Sequence, residues 1–120
     1  MQEKPVEWVG SSLEDLRTFP EEAKDNIGHA LWFAQKGDKH PSAKPLQGFG
    51  GAWVLEIIED YDGDTYRAVY TVKFPDAIYV LHCFQKKSKK GTKTTTQDID
   101  LIKRRFKRAE KEYKEKEERK

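Results

Sequence analysis

The chain has 120 residues, a length typical of one domain. Its residues are 36% hydrophobic and 37% charged, which predicts a small core under a densely charged surface, and its 15 Trp, Phe, Tyr and Met residues argue against wholesale disorder. The composition excludes two classes: no apolar run reaches the roughly 20 residues of a transmembrane helix, and the single cysteine, Cys83, cannot form an internal disulfide. The N-terminal sequence MQEKPVEW also lacks the apolar segment of a signal peptide, so we expect a soluble cytoplasmic protein without a membrane partner.

The net charge of +2 conceals a strong asymmetry along the chain. Residues 1–84 contain 8 Lys and Arg against 14 Asp and Glu, a net charge of −6. Residues 85–120 contain 15 against 7, a net charge of +8. A segregated basic segment is typical of a phosphate-binding surface, and a solvated charged helix is the alternative.

The N-terminal third predicts a strand followed by a helical hairpin. Residues 5–9, PVEWV, are short and apolar, as in a first strand. Ser11 and Glu14 have the spacing of a capping box, which predicts a helix start, and Pro20 is suited to the first turn of a second helix. That second helix has an apolar stripe with helical spacing and ends near Gly37; the stripe comprises Ala23, Ile27, Ala30, Leu31 and Ala34.

The middle of the chain predicts a loop and then three strands. Residues 36–51 contain four of the eight glycines and two of the five prolines, which indicates a loop. Three runs rich in β-branched and aromatic residues follow, at 52–58, 65–74 and 77–84. Their short connections favour antiparallel hairpins.

A final helix is predicted after a threonine run that offers N-caps, with Asp98 near the positive end of the helix dipole. Its apolar stripe comprises Ile99, Ile102, Phe106, Ala109 and Tyr113. Residues 114–120 are expected to fray or project into solvent. The predicted fold is a single α+β domain, residues 1–120, with element order β-α-α-β-β-β-α and a mainly antiparallel sheet.

Three stretches in this order carry a family resemblance: KPLQGFGGAWVLEI (44–57), DGDTYRAVYTV (62–72) and IYVLHCFQKKSKKG (78–91). Together they resemble the RelE/ParE toxin superfamily of bacterial toxin–antitoxin systems, in its HigB-like, phage-derived branch. The resemblance implies a RelE-like fold and a toxin that cuts messenger RNA on the ribosome. It also implies a cognate antitoxin, usually a helix-turn-helix protein. Within this superfamily a ParE-type gyrase poison is the alternative, and a catalytically inactive RNA- or protein-binding module is a further one.

Cutting RNA through its own 2′-OH requires a base for that hydroxyl, cations for the phosphate and a proton donor for the leaving oxygen. Arg67 is the first candidate because it is the only charged residue in the strand core TYRAVY (65–70) and can bind two phosphate oxygens at once. A structural salt bridge to Glu56 on the neighbouring strand is the alternative. No cofactor and no metal are expected, since the three histidines are scattered along the sequence and Cys83 is the single cysteine.

Lys86 and Lys87 follow a buried strand, where the resemblance implies a basic catalytic residue. Which of the two points inward is left open, as is the alternative that both are solvated. His82 has the titration range for acid–base chemistry, but a lone histidine in an apolar strand is more often a core residue. Glu56 occupies a strand in which some relatives carry Lys or Arg, and the general base remains unassigned.

RNA binding is predicted for two further kinds of residue. Lys89, Lys90 and Lys93 are expected to contact backbone phosphates without reading sequence. Tyr70 and Phe84 are candidates for stacking on a base, with core packing as the alternative.

Overall fold

A computed structural model describes residues 3–50, 53–86 and 93–120 of the chain. The elements in order are β1 (Val6–Trp8), α1 (Ser12–Arg17), α2 (Glu21–Gln35), β2 (Ala43–Pro45), β3 (Val54–Tyr61), β4 (Asp64–Thr71), β5 (Ile78–Lys86) and α3 (Thr96–Glu118). The five strands form one sheet in the order β1-β5-β4-β3-β2, in which only the β1–β5 pair is parallel among the described strands. The predicted α+β fold, with a mainly antiparallel sheet, a helical hairpin and a C-terminal helix, is confirmed.

The sheet separates two apolar clusters. On one face α1 and α2 pack against the sheet, and the predicted α2 stripe is buried there as expected; its members are Ala23, Ile27, Ala30, Leu31 and Ala34. On the other face α3 packs through Ile102 and Ala109, which are fully buried. The alternation of strand side chains therefore decides which residues lie under the helical hairpin and which lie under α3.

The segment 36–51, predicted to be a loop throughout, contains the short strand β2. Ala43 pairs with Ile57, and Lys44 pairs with Glu56. Three residues flanked by turn formers give no periodic pattern, and Pro45 is tolerated because β2 is an edge strand. This correction matters for function, since it brings Lys44 beside Glu56.

The predicted capping box at the start of α1 does not form, although α1 does begin at Ser12. Ser11 has φ −88° and ψ 11°, outside the extended region from which a cap side chain reaches its helix, and its hydroxyl makes no capping hydrogen bond. That hydroxyl donates instead to the Asp15 carboxylate at 2.8 Å. At α3 the predicted threonine cap does form, because Thr95 Oγ1 accepts the Asp98 N–H at 3.1 Å.

A two-residue turn at Asp62 and Gly63 joins β3 to β4. Both residues have positive φ, 51° and 87°, as the tight hairpin turns that match strand twist require. The register that follows places Ile58 opposite Arg67 and Val69 opposite Glu56.

A bulge interrupts the pairing of β4 with β5. Val69 pairs with His82, whereas Tyr70 pairs with Val80, so Leu81 is the extra residue of β5. Leu81 belongs to the cluster under α3, and Arg105 of α3 donates to the Leu81 carbonyl at 3.0 Å. The bulge is thereby fixed by the helix that covers it.

Helix α3 continues to Glu118, so residues 114–118 are helical and exposed. Within the described part of the chain, no helix has the length and apolar character needed to span a membrane.

Candidate active site

The candidate site lies on the face of the sheet that α3 covers, near the N-terminal end of that helix. Arg67 pairs with Ile58 on one side and Phe84 on the other, and Thr65 pairs with Lys86. Because side chains alternate along a strand, Thr65 and Arg67 share a face with their cross-strand partners. The sheet therefore brings Arg67 and Lys86 to the same face.

Arg67 and Glu56 form a buried ion pair. The two residues are 4% and 6% exposed. Arg67 Nη1 lies 3.4 Å from both carboxylate oxygens of Glu56. The salt bridge to Glu56 that the sequence offered as an alternative for Arg67 is therefore present, and Glu56 itself becomes part of the site.

Thr94 completes a three-residue cluster with this pair. Its hydroxyl donates to Glu56 Oε2 at 2.7 Å and accepts from Arg67 Nη1 at 3.1 Å. Each contact to the hydroxyl is shorter than the contacts between the two charged groups.

A pocket of about 330 Å³ opens beside the cluster. Its charged and polar lining combines the three cluster residues with Lys44, Gln47 and Lys93, and its apolar lining consists of Pro45, Leu46, Ile58 and Ile99. A pocket with an apolar wall, two lysines and an arginine–carboxylate pair is suited to an anionic ligand that carries a flat apolar group. A nucleotide has this chemistry.

Of the predicted lysines, only Lys86 and Lys93 lie within the described residues. Lys86 is 9% exposed, and its Nζ donates to the main-chain carbonyl of Lys93 at 2.5 Å. Lys93 is exposed and lines the pocket. Lys87, Lys89 and Lys90 fall outside the described residues.

His82 is a mostly buried residue that links β5 to α3. Its Nε2 lies 2.9 Å from Asp98 Oδ1, and its ring stacks on Phe84 with a centroid distance of 4.5 Å. Within the described part of the chain, His82 Nδ1 is buried without a hydrogen-bond partner. His82, predicted as a catalytic candidate, does not line the pocket.

Tyr70, predicted as a candidate for base stacking, is instead fully buried on the opposite face. It belongs to the cluster under α1 and α2, and burial raises the pKa of its phenol to about 12. The sequence could not reveal which helix covers each face of β4, because β4 is buried on both faces. Phe84 is half-buried on the α3 face, where it stacks on His82.

Cys83 also faces the buried cluster under the helical hairpin. Its thiol is 2% exposed, and burial raises its pKa to about 12. A buried, protonated thiol is a poor nucleophile, so Cys83 acts as a packing residue. Across residues 3–50, 53–86 and 93–120, no three His, Cys, Asp or Glu side chains are grouped to hold a metal ion.

Sequence reasoning missed Thr94 and considered Glu56 only as a structural salt-bridge partner of Arg67. Thr94 gives no signal, since it is one of several threonines in a segment without periodicity. Glu56 does give one: like Arg67, it is the only charged residue inside an apolar strand run. Two such residues on neighbouring strands, with opposite charges, indicate a buried pair.

The chain and its fold are similar to known proteins. Residues 14–107 match the family model described as "Phage derived protein Gp49-like (DUF891)". A free-state structure of E. coli toxin RelE, an arginine-to-alanine double mutant, superposes with a TM-score of 0.55 at 14% identity, covering 90% of this chain and 98% of that one. The RelBE2 toxin–antitoxin complex from Mycobacterium tuberculosis gives a TM-score of 0.48 at 14% identity, covering 70% and 99%. No curated protein matches the sequence.

Proposed function

Because the chain belongs to the family of phage-derived Gp49-like proteins and has the RelE fold, we propose that it is a toxin that inhibits translation by cutting messenger RNA on the ribosome. The resemblance to the phage-derived branch of the RelE/ParE superfamily is confirmed by that membership. The observation that carries the nuclease proposal is the Glu56–Arg67 pair at the edge of a pocket lined by Lys44 and Lys93.

The proposed reaction is attack by the 2′-OH of the RNA on the adjacent phosphorus. Glu56 accepts the hydroxyl proton as the 2′-oxygen–phosphorus bond forms, and Arg67 stabilises the charge that develops on the phosphate oxygens. The bond from phosphorus to the 5′-oxygen then breaks, and that oxygen takes a proton from a lysine ammonium or from water. The products are a 2′,3′-cyclic phosphate and a 5′-hydroxyl end.

The proposed roles of the lysines follow their positions. Lys44 and Lys93 are exposed at the pocket, where an ammonium group can attract the RNA backbone or donate a proton. Lys89 and Lys90 keep their proposed role as phosphate contacts, and Lys87 keeps its proposed catalytic role. Phe84 keeps its proposed role of stacking on an RNA base. Its ring also stacks on the ring of His82.

A cognate antitoxin is part of the proposal. The chemistry of its inhibitory segment follows from the pocket, because an acidic segment laid across Lys44 and Lys93 would neutralise both cations and exclude RNA. The family resemblance suggests that this segment belongs to a helix-turn-helix protein.

The test is controlled expression of the chain in bacteria without an antitoxin. The wild type should stop growth and create new 5′ ends within translated messages, and Arg67→Ala should abolish both effects. Arg67→Lys keeps the positive charge but loses the planar guanidinium that can bind two phosphate oxygens at once. We therefore expect this variant to cleave more slowly than the wild type. Arg17→Ala, which removes an exposed arginine of α1 on the other face of the sheet, serves as the matched control and should remain toxic.

Three outcomes would contradict the proposal. A folded Arg67→Ala variant that still cleaves messages excludes this site. A DNA-damage response with intact messages indicates gyrase poisoning instead. Growth unaffected by the wild-type chain indicates an inactive binding module.

A further inference from the structure

The chain enters α3 through a short strap, residues 93–95, that crosses beside the Glu56–Arg67 pair. Two sets of contacts hold it. On its N-terminal side, the buried Lys86 ammonium donates to the Lys93 carbonyl. On its C-terminal side, Thr95 caps α3 and also donates to Asp98 Oδ2 at 2.8 Å.

The second anchor extends into the sheet. The other oxygen of the Asp98 carboxylate, Oδ1, lies 2.9 Å from His82 Nε2. Lys86 and His82 are both on β5, so the same strand holds the strap from both sides. Thr94 lies between the two anchors, and its position relative to the sheet is therefore fixed.

The hydrogen-bond directions at Thr94 are determined by chemistry. A carboxylate only accepts and a guanidinium only donates, so the single hydroxyl proton must point to Glu56 and a lone pair must face Arg67. The hydroxyl thus bridges the two charges in one orientation.

This bridge keeps the guanidinium of Arg67 further from the carboxylate of Glu56 than in a typical ion pair. Charge-assisted contacts between a guanidinium and a carboxylate are typically about 2.7–2.9 Å, whereas Arg67 Nη1 is 3.4 Å from each oxygen of Glu56. Without the hydroxyl, the two groups would close onto each other. Glu56 would then be less able to accept a proton, and Arg67 would be less able to turn towards a phosphate.

We propose that Thr94 is a positioning residue, which holds Glu56 and Arg67 apart in the arrangement that the reaction needs, and that Lys86 acts through the strap by fixing Thr94. This inference rests on the proposed nuclease function. It assigns Lys86, a predicted catalytic residue, to the support of the site.

The experiment uses the purified full chain and ribosomes programmed with a defined message, measured in single turnovers. Thr94→Val removes the hydroxyl at nearly constant volume, and Thr94→Ser retains it. We expect Thr94→Val to lower the saturating cleavage rate about 100-fold, as misplacement of reacting groups does. The half-saturating ribosome concentration should change less than about 3-fold, because the variant leaves binding groups in place.

Two further variants serve as rescue and control. Thr94→Ser should cleave within about 5-fold of the wild type, since it restores the bridge. Thr96→Val replaces an exposed threonine two residues away and should behave as the wild type. A normal rate for Thr94→Val, or a Thr94→Ser variant as slow as Thr94→Val, would overturn the role of Thr94.

Lys86→Met tests the anchor. It should lower the saturating rate in the same way as Thr94→Val, and the double variant should be no slower than the slower single variant, because both changes disable one unit. Multiplying losses would overturn the link between Lys86 and Thr94. Glu56→Gln and Arg67→Lys separate the two levels: normal rates in both refute the nuclease site, whereas slow rates in both with a normal Thr94→Val refute only the positioning role.

Discussion

Glu56 and Arg67 are two charged residues buried against a sheet whose other buried residues are mostly apolar. Both side chains are at most 8% exposed, so each has lost most of its hydration. The attraction within a buried pair often fails to repay that loss, and apolar pairs of similar size are often equally stable. The pair is thus better explained by chemistry at the pocket than by stability of the fold.

That view predicts an asymmetry between single and double substitutions. Arg67→Met should destabilise the fold by about 3–5 kcal/mol because it leaves a buried carboxylate without its cation. The double variant Glu56→Leu/Arg67→Met should recover most of that loss, while cleavage is absent. Urea unfolding of the wild type and the variants measures the free energy of unfolding of each. The dependence of that free energy on urea concentration should be equal among them, which shows that each exposes the same surface area on unfolding.

A double variant as unstable as Arg67→Met would show instead that the pair is needed by the fold. The structural salt bridge considered at the sequence level would then be the main role of Arg67, and the nuclease proposal would lose its principal support.

At the scale of elements, periodic segments were predictable and aperiodic ones were not. The α2 stripe and three long strands carry enough residues for the pattern to exceed noise, and each was found close to its predicted bounds. The strand β2 has three residues, and the β5 bulge is a single extra residue that no alternation reveals. The Ser11–Glu14 spacing matched a capping box, but the Ser11 hydroxyl bonds to Asp15 instead.

Arg105 joins three of these elements and its contribution can be measured. It donates to the Leu81 carbonyl at the bulge and to the Ser11 hydroxyl at the start of α1. Its guanidinium also lies against Gly10, where an added Cβ would be 2.9 Å away and where φ is +58°. Only a residue without a side chain fits this turn comfortably.

Arg105→Met should therefore lower the free energy of unfolding by about 1.5–3 kcal/mol, the range for hydrogen bonds to a charged group. Arg104→Met is the matched control, since Arg104 is exposed on the same helix, and it should change stability by less than about 0.5 kcal/mol. Thermal or urea unfolding of the two variants provides the measurement. Equal effects would mean that Arg105 does not fasten α3 to the sheet.

At the scale of the whole molecule, the parts of the site set by a local hairpin could be predicted, and the part set by the packing of α3 could not. Arg67 and Glu56 lie in strands whose register follows from a short hairpin, so their proximity could be inferred from the sequence. Thr94 is 38 residues from Glu56 along the chain, and only the packing of α3 brings them together. Contacts made by an aperiodic strap depend on the complete fold and have no local signal.

Part of the basic charge of the C-terminal segment is exposed along helix α3. On α3 the basic residues Lys103, Arg104, Lys107, Lys111 and Lys114 are all exposed, and they extend over about 16 Å of helix at 1.5 Å per residue. They lie on the helix that covers the site-bearing face of the sheet, and they make no salt bridge with any other described residue. We expect them to contact phosphates of structured RNA in the proposed complex with the ribosome.

Replacing Lys107 and Lys111 by Gln should therefore lower the affinity for the ribosome and make that affinity less dependent on salt. The cleavage rate at saturating ribosome concentration should not change. Each lost phosphate contact should make the slope of log affinity against log salt concentration less steep by about 0.7–0.9. Binding titrations of the wild type and the double variant between low and physiological salt provide the slope. Lys24→Gln/Lys39→Gln, which removes two lysines on the α2 side of the sheet, is the control with equal charge change and should keep the wild-type slope. Equal slopes for the two double variants would show that α3 does not contact RNA, because the loss would then follow net charge alone.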